Sequence, residues 1–210
     1  MSIRPHLTLA LAAVLLAIPL LNAQQLKPIQ LPSPQTTGGV PLMQALAQRH
    51  TTRVFRDQPL SPQTLSNLLW AAFGINRSAS ARPGPGRTAP SAMNKQEIQL
   101  DVLLPTGVYA YDAEHNLLRQ LVAEDVRSSV LSEAGARAPV TILYVAGSKD
   151  SFAQVDTGFI GQNVYLFAAS EGLNAWFYTI KPQAVTTALQ LPNTSTPLYA
   201  QSVGYPPASK

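Results

Sequence analysis

The sequence predicts an α+β domain in which a mixed β-sheet lies between layers of helices. Short runs of alternating or β-branched apolar residues are interspersed with segments of helical periodicity, which is the pattern of such a sandwich. Of the 210 residues, 46% are hydrophobic and only 12% are charged. A chain of this length and composition buries one sizeable core, so a single domain is expected.

The N-terminal residues, 1–23, are typical of a secretory signal peptide. A basic residue, Arg4, precedes an apolar run over 7–21, and Ala23 suits the last position before cleavage. The run is short for a membrane span. Leu21 is bulky where cleavage prefers a small residue, so an uncleaved anchor is the alternative. We expect a periplasmic or secreted protein that meets a membrane only through this segment.

Residues 24–39 predict a linker rather than part of the domain. They are mostly polar, contain three prolines and end in a glycine pair, a composition typical of tethers. The folded domain is then expected to cover 40–210. The chain has 0 cysteines, which excludes a disulfide framework, a thiolate nucleophile and a cysteine-ligated metal.

Helices are predicted from capping residues and from periodicity. The first begins near Leu42, and the second is marked by Ser61 as N-cap, Pro62 at the first helical position and Gly74 at its end. The later helices are expected over 125–133, over 152–171 and from 182 to about 191.

Strands are predicted from period-two alternation and β-branched composition, with a hairpin turn at 112–116. They are expected over 98–104, 107–111, 117–121, 139–147, 173–180 and 198–205.

Positive charge is concentrated in the first half of the domain. The formal net charge is +4, and Asp57 is the one acidic residue in the interval 49–95, which contains Arg49, Arg53, Arg56, Arg77, Arg82, Arg87 and Lys95. This asymmetry indicates a bound anion, and the alternative is a basic surface face, which we favour for Arg77 and Arg82. The sequence has no basic helix and no aromatic-basic RNA motif, so nucleic acid is not expected as a partner.

Side chains suited to catalysis are sparse. His6 lies in the predicted signal and His115 in a predicted turn, which leaves His50 and disfavours a histidine metal site or triad. No metal site is expected. The acidic residues beside turns are expected to be solvated rather than to form a catalytic pair. If the chain is an enzyme, its reactive centre is therefore a bound cofactor.

The stretch "QRHTTRVF" (48–55) contains the clearest candidate ligands. Arg49, Thr51 and Arg53 alternate, so in an extended segment they would share one face and present two guanidinium groups and a hydroxyl. Guanidinium geometry suits a phosphate or the polar edge of a heterocycle. An exposed basic strand without a ligand is the alternative.

Four stretches in order, "QRHTTRVF", "PLSPQTLSNLLWAAFGINR", "RTAPSAMNKQ" and "DTGFIGQNVYLFAASEGLNAWFY", resemble the nitroreductase superfamily of FMN enzymes. The similarity covers nearly all of 41–206. It is closest to the branch of the dehydrogenases of thiazole and oxazole peptide maturation, the SagB type. The resemblance implies a nitroreductase-like fold, an obligate-type homodimer and FMN as cofactor.

The resemblance also implies a flavin site built from two subunits. The positions that grip the phosphate, the ribityl chain and the pyrimidine edge are matched by Arg49, Thr51 and Arg53. A loop that reaches the flavin from the other subunit is matched by Pro90, Ser91 and Asn94.

Three further positions are assigned by the same resemblance. Gln96, beside the loop, has either a flavin-side or a structural role, and Arg87 either helps with the phosphate or caps the loop. Backbone groups that address flavin N5 fall near Phe177, Tyr178 and Thr179; Tyr178 and Trp176 are alternatively ordinary strand residues.

The implied function is that of an exported FMN-dependent oxidoreductase of the nitroreductase or dehydrogenase type. It transfers two electrons, as hydride through flavin N5, to a small planar acceptor such as a quinone or nitroaromatic. The donor is NAD(P)H or, outside the cytoplasm, a non-nicotinamide compound.

Two departures from the family pattern leave other functions open. The chain ends without a basic pair, with only Lys210 near its terminus, and the interval 105–138 is short for a substrate lid. One alternative is a degenerate structural or interaction dimer at the cell envelope, with or without flavin. An anion-binding module without redox turnover is the third hypothesis.

Overall fold

The computed structural model describes residues 27–79, 84–147 and 151–208. The strands are β1 (Ile29–Gln30), β2 (Ile75–Arg77), β3 (Gly86–Arg87), β4 (Ile98–Leu104), β5 (Gly107–Asp112), β6 (Leu117–Val122), β7 (Val140–Ala146), β8 (Asn174–Thr179) and β9 (Thr196–Gly204). The helices are α1 (Leu42–Gln48), α2 (Pro62–Phe73), α3 (Arg127–Val130), α4 (Glu133–Ala136), α5 (Ala153–Ser170) and α6 (Pro182–Leu189), with a 3-10 turn over Ala92–Asn94.

Seven strands form one sheet in the order β1-β6-β5-β4-β7-β9-β8, and β2 and β3 form a separate ribbon. The α+β class is confirmed. We expected a mixed sheet, but every strand pair in the described part of the chain is antiparallel. The reason is that β9 inserts between β7 and β8. These two strands run parallel across the α5 connection, and each pairs with β9 in the opposite direction.

The predicted helix caps and the hairpin are confirmed. The Ser61 hydroxyl accepts a hydrogen bond from Thr64 N–H, and Gly74 ends α2. The predicted helix over 125–133 is instead two short helices. Leu131 has extended backbone, and the Ser132 hydroxyl then caps α4 by accepting from Gly135 N–H.

Helices cover both faces of the sheet. On the face that we call the site face, α2 and α5 pack against side chains that include Val102, Ile142 and Tyr144. On the opposite face, α3 and α6 pack against Leu103 and other side chains of β4 and β7. Since neighbouring strand residues point to different faces, β4 and β7 contribute to both cores.

The described part of the predicted linker, from residue 27 onward, belongs to the domain. Ile29 and Gln30 pair with β6, and Leu31 is only 4% exposed in the core of the site face. The Pro32 carbonyl accepts hydrogen bonds from Ser66 and Asn116. The polar, proline-rich segment contains two apolar residues, Ile29 and Leu31, that complete the sheet edge and the core. The expected domain boundary at residue 40 is therefore wrong.

The predicted signal peptide, 1–23, and Lys210 lie outside the described residues. Within the part of the chain that the structure describes, no helix is both long and apolar enough to cross a membrane.

Candidate functional site

The segment that follows α1 crosses the open edge of β8, a strand that pairs with β9 alone among the described strands. Thr52 N–H donates to the Ala175 carbonyl at 3.0 Å. Asn174 Nδ2 donates to the Val54 carbonyl at 2.7 Å. These bonds hold 49–54 beside the strand without making it a regular strand itself, so its side chains are placed at the sheet edge.

Tyr165, near the middle of α5, lies where this segment meets β8. Its hydroxyl accepts a hydrogen bond from Phe177 N–H at 2.9 Å and lies 3.1 Å from the Thr51 hydroxyl. The Arg49 guanidinium carbon lies 5.3 Å from the centre of the Tyr165 ring, within the range of a cation–π contact. Arg49, Thr51 and Tyr165 form what we call the Tyr165 cluster.

Arg53 lies outside the Tyr165 cluster. Its guanidinium carbon is 5.4 Å from the centre of the Trp176 ring. Trp176 stacks on Tyr178 and packs against the core of the opposite face. The structure therefore brings Arg49 and Thr51 together and places Arg53 against a different aromatic residue, although we expected the three to share one face.

The two arginines of this segment retain their donors. Within the described residues, neither the Arg49 nor the Arg53 guanidinium makes a hydrogen bond or an ion pair with the protein. Each guanidinium has five N–H donors. Two cationic groups at the edge of β8 are therefore available to a ligand.

Two cavities, each of about 310 Å³, lie on either side of Tyr165. The first, which we call the Asn174 cavity, is lined by the last turns of α5 together with Gln48, His50 and Asn174. The second, the flat cavity, is lined by Gly158, Gly161, Gln162 and Phe177.

Glycines give the flat cavity its shape. A Cβ atom at Gly158 would have no neighbouring atom within 4 Å, so this part of α5 borders open space. A Cβ atom at Gly161 would lie 3.0 Å from the Phe177 ring. The glycine therefore allows α5 to approach β8 closely, and no side chain projects from the helix at these two positions.

A buried hydrogen-bond chain supports α5 behind the flat cavity. The Tyr144 hydroxyl donates to Gln201 Oε1 at 2.6 Å, and Gln201 Nε2 donates to the Gly161 carbonyl at 3.2 Å. Burial raises the pKa of Tyr144 well above its usual value, so the hydroxyl stays protonated and keeps its donor role. These bonds fix the position of Gly161 relative to β7 and β9.

The loop with Pro90, Ser91 and Asn94 lies at the N-terminal end of α5. Ala92 N–H donates to both carboxylate oxygens of buried Asp156, at 3.1 and 3.0 Å. The loop contains left-handed backbone at Met93, Asn94 and Gln96, with φ of 51°, 57° and 50°. Such φ values are uncommon outside glycine. The loop is therefore held in an unusual conformation with the Met93 side chain 75% exposed.

Arg87 and Gln96 are engaged within the protein. Arg87 Nε donates to Gln96 Oε1 at 2.8 Å, and its terminal nitrogen donates to the Phe73 carbonyl at 3.0 Å. Gln96 Nε2 donates to Pro85 and Asn94 oxygens. Burial lowers the pKa of Arg87 below its usual value. Of the roles left open for these residues, the geometry favours the structural ones: Arg87 caps α2 and the loop.

Tyr178 and Thr179 differ in what they offer to the open edge. The Tyr178 side chain is buried on the opposite face, with its hydroxyl 2.9 Å from Ser202, and burial raises its pKa. Ala175 and Phe177 direct backbone groups to the open edge. Because this orientation alternates along a strand, Thr179 also faces the edge, whereas the backbone of Tyr178 faces β9.

Sequence reasoning missed Tyr165 and the flat surface of α5. A signal was present, since Gly158, Gly161, Gln162 and Tyr165 recur at the spacing of one helix face. Glycines and polar residues on one face of an otherwise apolar helix are typical of a close approach or a ligand surface. The contact between Tyr165 and Thr51 joins residues that are 114 positions apart, and no local pattern reveals it.

Comparison with known proteins gives consistent results. The model of the nitroreductase family matches residues 46–205. A Methanocaldococcus jannaschii protein assigned by name to the nitroreductases is 27% identical over 164 residues, covering 69% of this chain and 80% of that protein.

Solved structures show the same fold. A crystal structure from Ralstonia eutropha JMP134, also assigned to the nitroreductases, has a TM-score of 0.79 and 34% identity, and covers 87% of this chain and 90% of that chain. An FMN-dependent nitroreductase from Clostridium difficile R20291 has a TM-score of 0.54 and 15% identity, covering 80% of this chain and 89% of that one. The nitroreductase family is one of oxidoreductases, typically dependent on a flavin.

Proposed function

The chain belongs to the nitroreductase family, and from this premise we propose that it is an exported, homodimeric FMN-dependent oxidoreductase. It passes two electrons from NAD(P)H or a non-nicotinamide donor to a small planar acceptor such as a quinone or nitroaromatic. The observation that supports this most directly is the Tyr165 cluster, where Arg49 and a pair of hydroxyls face an open sheet edge between two cavities.

The residues of the Tyr165 cluster fit a phosphate group. Arg49 has guanidinium donors that no protein acceptor among the described residues uses, and the Thr51 hydroxyl is beside it. Charge-assisted hydrogen bonds from arginine to phosphate are among the stronger polar contacts in proteins. Arg49 and Thr51 would therefore hold the phosphate end of FMN, with the Asn174 cavity beside them.

The flat cavity fits a planar ring system. No side chain projects from α5 at Gly158 and Gly161, and Phe177 supplies an apolar wall. FMN, when bound, would supply hydride transfer through N5. The chain's own contribution is to bind and orient that group, and we propose that the Thr179 N–H at the open edge of β8 donates to it.

Arg53 is proposed to tune the cofactor rather than to hold its phosphate. It lies against Trp176, apart from the Tyr165 cluster, and makes no ion pair within the described residues. A positive group near the pyrimidine edge of a flavin stabilises the negative charge that reduction places there. The cation–π contact with Trp176 limits the conformations of this long side chain.

Exposed apolar side chains support the homodimer. The helices α1 and α5 and the residue preceding α5 leave six large apolar side chains exposed: Leu42, Met43, Leu46, Phe152, Val155 and Phe159. Soluble monomers rarely expose extended apolar patches. We propose that a second copy of the chain covers these residues and that the loop at 90–94 reaches the partner's site.

The decisive experiment uses the purified full-length chain, because residues 27–39 are part of the domain. Its visible absorption is recorded with and without added FMN, and any chromophore released by denaturation is identified. Its mass in solution is measured by light scattering. Bound FMN in a dimer that is reduced by a two-electron donor and reoxidised by a quinone or nitroaromatic supports the proposal. A folded dimer that does not bind FMN contradicts the proposal and favours an interaction role.

A further inference from the structure

We infer that Tyr165 is a positioning residue, which couples β8 to Thr51 so that one hydroxyl proton and the Arg49 guanidinium are directed together at a phosphate group. The inference rests on the proposed function and deepens it. It assigns to Tyr165 the ability of the site to distinguish FMN from riboflavin, which has the same ring system but no phosphate.

Two separate parts of the fold meet at the Tyr165 side chain. Its hydroxyl contacts β8 through Phe177 N–H and the segment after α1 through Thr51, and its ring contacts Arg49 of that same segment. The hydrogen-bond distances are 2.9 and 3.1 Å. Tyr165 therefore contacts both Arg49 and Thr51 and joins these two side chains to the open edge of β8.

The two hydroxyl groups of the cluster leave one proton for a ligand. The hydroxyls of Thr51 and Tyr165 share one hydrogen bond, so whichever of them donates, the other retains a proton for an external acceptor. The Tyr165 oxygen already accepts from Phe177 N–H. Its own proton is then best donated to Thr51, and the Thr51 proton is left for the ligand.

The ring and the hydroxyl of Tyr165 have different roles. The ring of Tyr165 orients Arg49 by a cation–π contact, whereas the hydroxyl orients Thr51. Tyr165→Phe keeps the first contact and removes the second. Tyr165→Leu removes both contacts. Tyr165→Phe therefore reports on the hydroxyl, and the difference between the two variants reports on the ring.

The test compares FMN with riboflavin, with flavin fluorescence as the measure of binding. For the wild-type chain we expect a lower Kd for FMN than for riboflavin. Tyr165→Phe should raise the Kd for FMN about tenfold, the effect of one hydrogen bond to a charged group, and should leave the Kd for riboflavin within about twofold. Tyr165→Leu should raise the Kd for FMN further.

A double-mutant cycle tests the coupling. Thr51→Val should produce the same selective loss as Tyr165→Phe, and the double variant should be little worse than either single variant, because both remove one shared element. Tyr205→Phe is the matched control, since the Tyr205 hydroxyl makes no hydrogen bond to the described residues, and it should bind both flavins as the wild type does.

Several outcomes would overturn the inference. Wild-type FMN affinity in Tyr165→Phe removes Tyr165 from the site while the proposed function stands. An equal rise in the Kd values of FMN and riboflavin shows a merely structural role. Failure of the wild-type chain to bind FMN overturns the proposed function and this inference together. If Tyr165→Phe does not fold, the Thr51→Val variant decides by the same comparison.

Discussion

Two arginine-bearing stretches of this chain, 49–53 and 87–96, contain similar residue types and use them in different ways. In the first, the Arg49 guanidinium lies over the Tyr165 ring and makes no hydrogen bond or ion pair with the described residues. In the second, Arg87 donates to Phe73 and to Gln96. Residue type therefore indicates which ligand a segment suits. Whether the segment can bind that ligand depends on whether its side chains already donate hydrogen bonds within the protein.

The contrast follows from what each guanidinium lies against. Arg87 reaches the C-terminal end of α2, where the Phe73 carbonyl has no partner inside the helix. Arg49 directly follows α1, and its side chain turns to Tyr165 at the surface of α5. One guanidinium therefore completes a helix end, and the other remains available.

The largest expected effect tests the structural half of this contrast. Arg87→Met removes two hydrogen bonds and leaves the Phe73 carbonyl and the Gln96 amide oxygen without their donor. We expect the free energy of unfolding to fall by roughly 2–4 kcal/mol, measured by urea denaturation. The FMN affinity of the folded protein should stay at the wild-type value. Unchanged stability together with lost FMN binding would assign Arg87 to the flavin site instead.

A pH effect of similar size arises outside both stretches. Asp101 on β4 is fully buried; one carboxylate oxygen accepts from Gln99 and the other has no partner among the described residues. Burial raises its pKa from 3.8 to about 6, a shift that the Gln99 hydrogen bond partly opposes. The folded state therefore takes up a proton between these two pH values.

The sign of the pH effect follows from that proton uptake. The contribution of Asp101 to stability is greatest below about pH 4 and decreases as the pH rises to about 6, by about 3 kcal/mol in total. Asp101→Asn should remove this decrease, which urea denaturation at several pH values would show. A wild-type slope in the variant would mean that another group titrates. The Arg87 comparison is best made above pH 7, where Asp101 is ionised in both states.

The binding half of the contrast predicts a smaller effect. Arg49→Met should raise the Kd for FMN about 10- to 50-fold, because a charge-assisted contact to the phosphate is lost. The free energy of unfolding should change by less than about 0.5 kcal/mol, as is usual for surface substitutions. Titration of flavin fluorescence and urea denaturation give the two values. A large loss of stability would show that the cation–π contact holds the segment in place.

The sequence predicted most of the fold because its signals were local. The Ser61 cap, the alternation of 98–104 and the β-branched run of 140–146 each depend on neighbouring residues. The position of β1 was missed because Ile29 and Leu31 gain partners only from β6 and the distant core. Composition alone could not separate a tether from an edge strand.

The candidate site was predictable to the level of residue type. Arg49 and Thr51 were found from their spacing, and the structure places both at Tyr165. The contact of Arg53 with Trp176 was not predictable, because it depends on the side of β8 to which the Arg53 side chain turns. The hydrogen bonds of Gln96 were not predictable, because they depend on a loop with left-handed backbone.

The two glycines of α5 provide the smallest effect and a test of the flat cavity. Gly158→Ala adds a methyl group that meets no atom within 4 Å, so the helix should gain about 0.5–1 kcal/mol from its better propensity. If a planar ring occupies the cavity, the same methyl group would project into it and raise the Kd for FMN severalfold.

Gly161→Ala is the matched comparison for that substitution. Its methyl group would lie 3.0 Å from the Phe177 ring and 3.4 Å from Gln201 Oε1, so the propensity gain should be offset by crowding between α5 and the sheet. Thermal unfolding without flavin and FMN titration separate the two positions. Higher stability with weaker FMN binding in Gly158→Ala supports a ring beside that glycine. Higher stability with unchanged binding would place the ring elsewhere, while the phosphate-binding role of Arg49 and Thr51 would be unaffected.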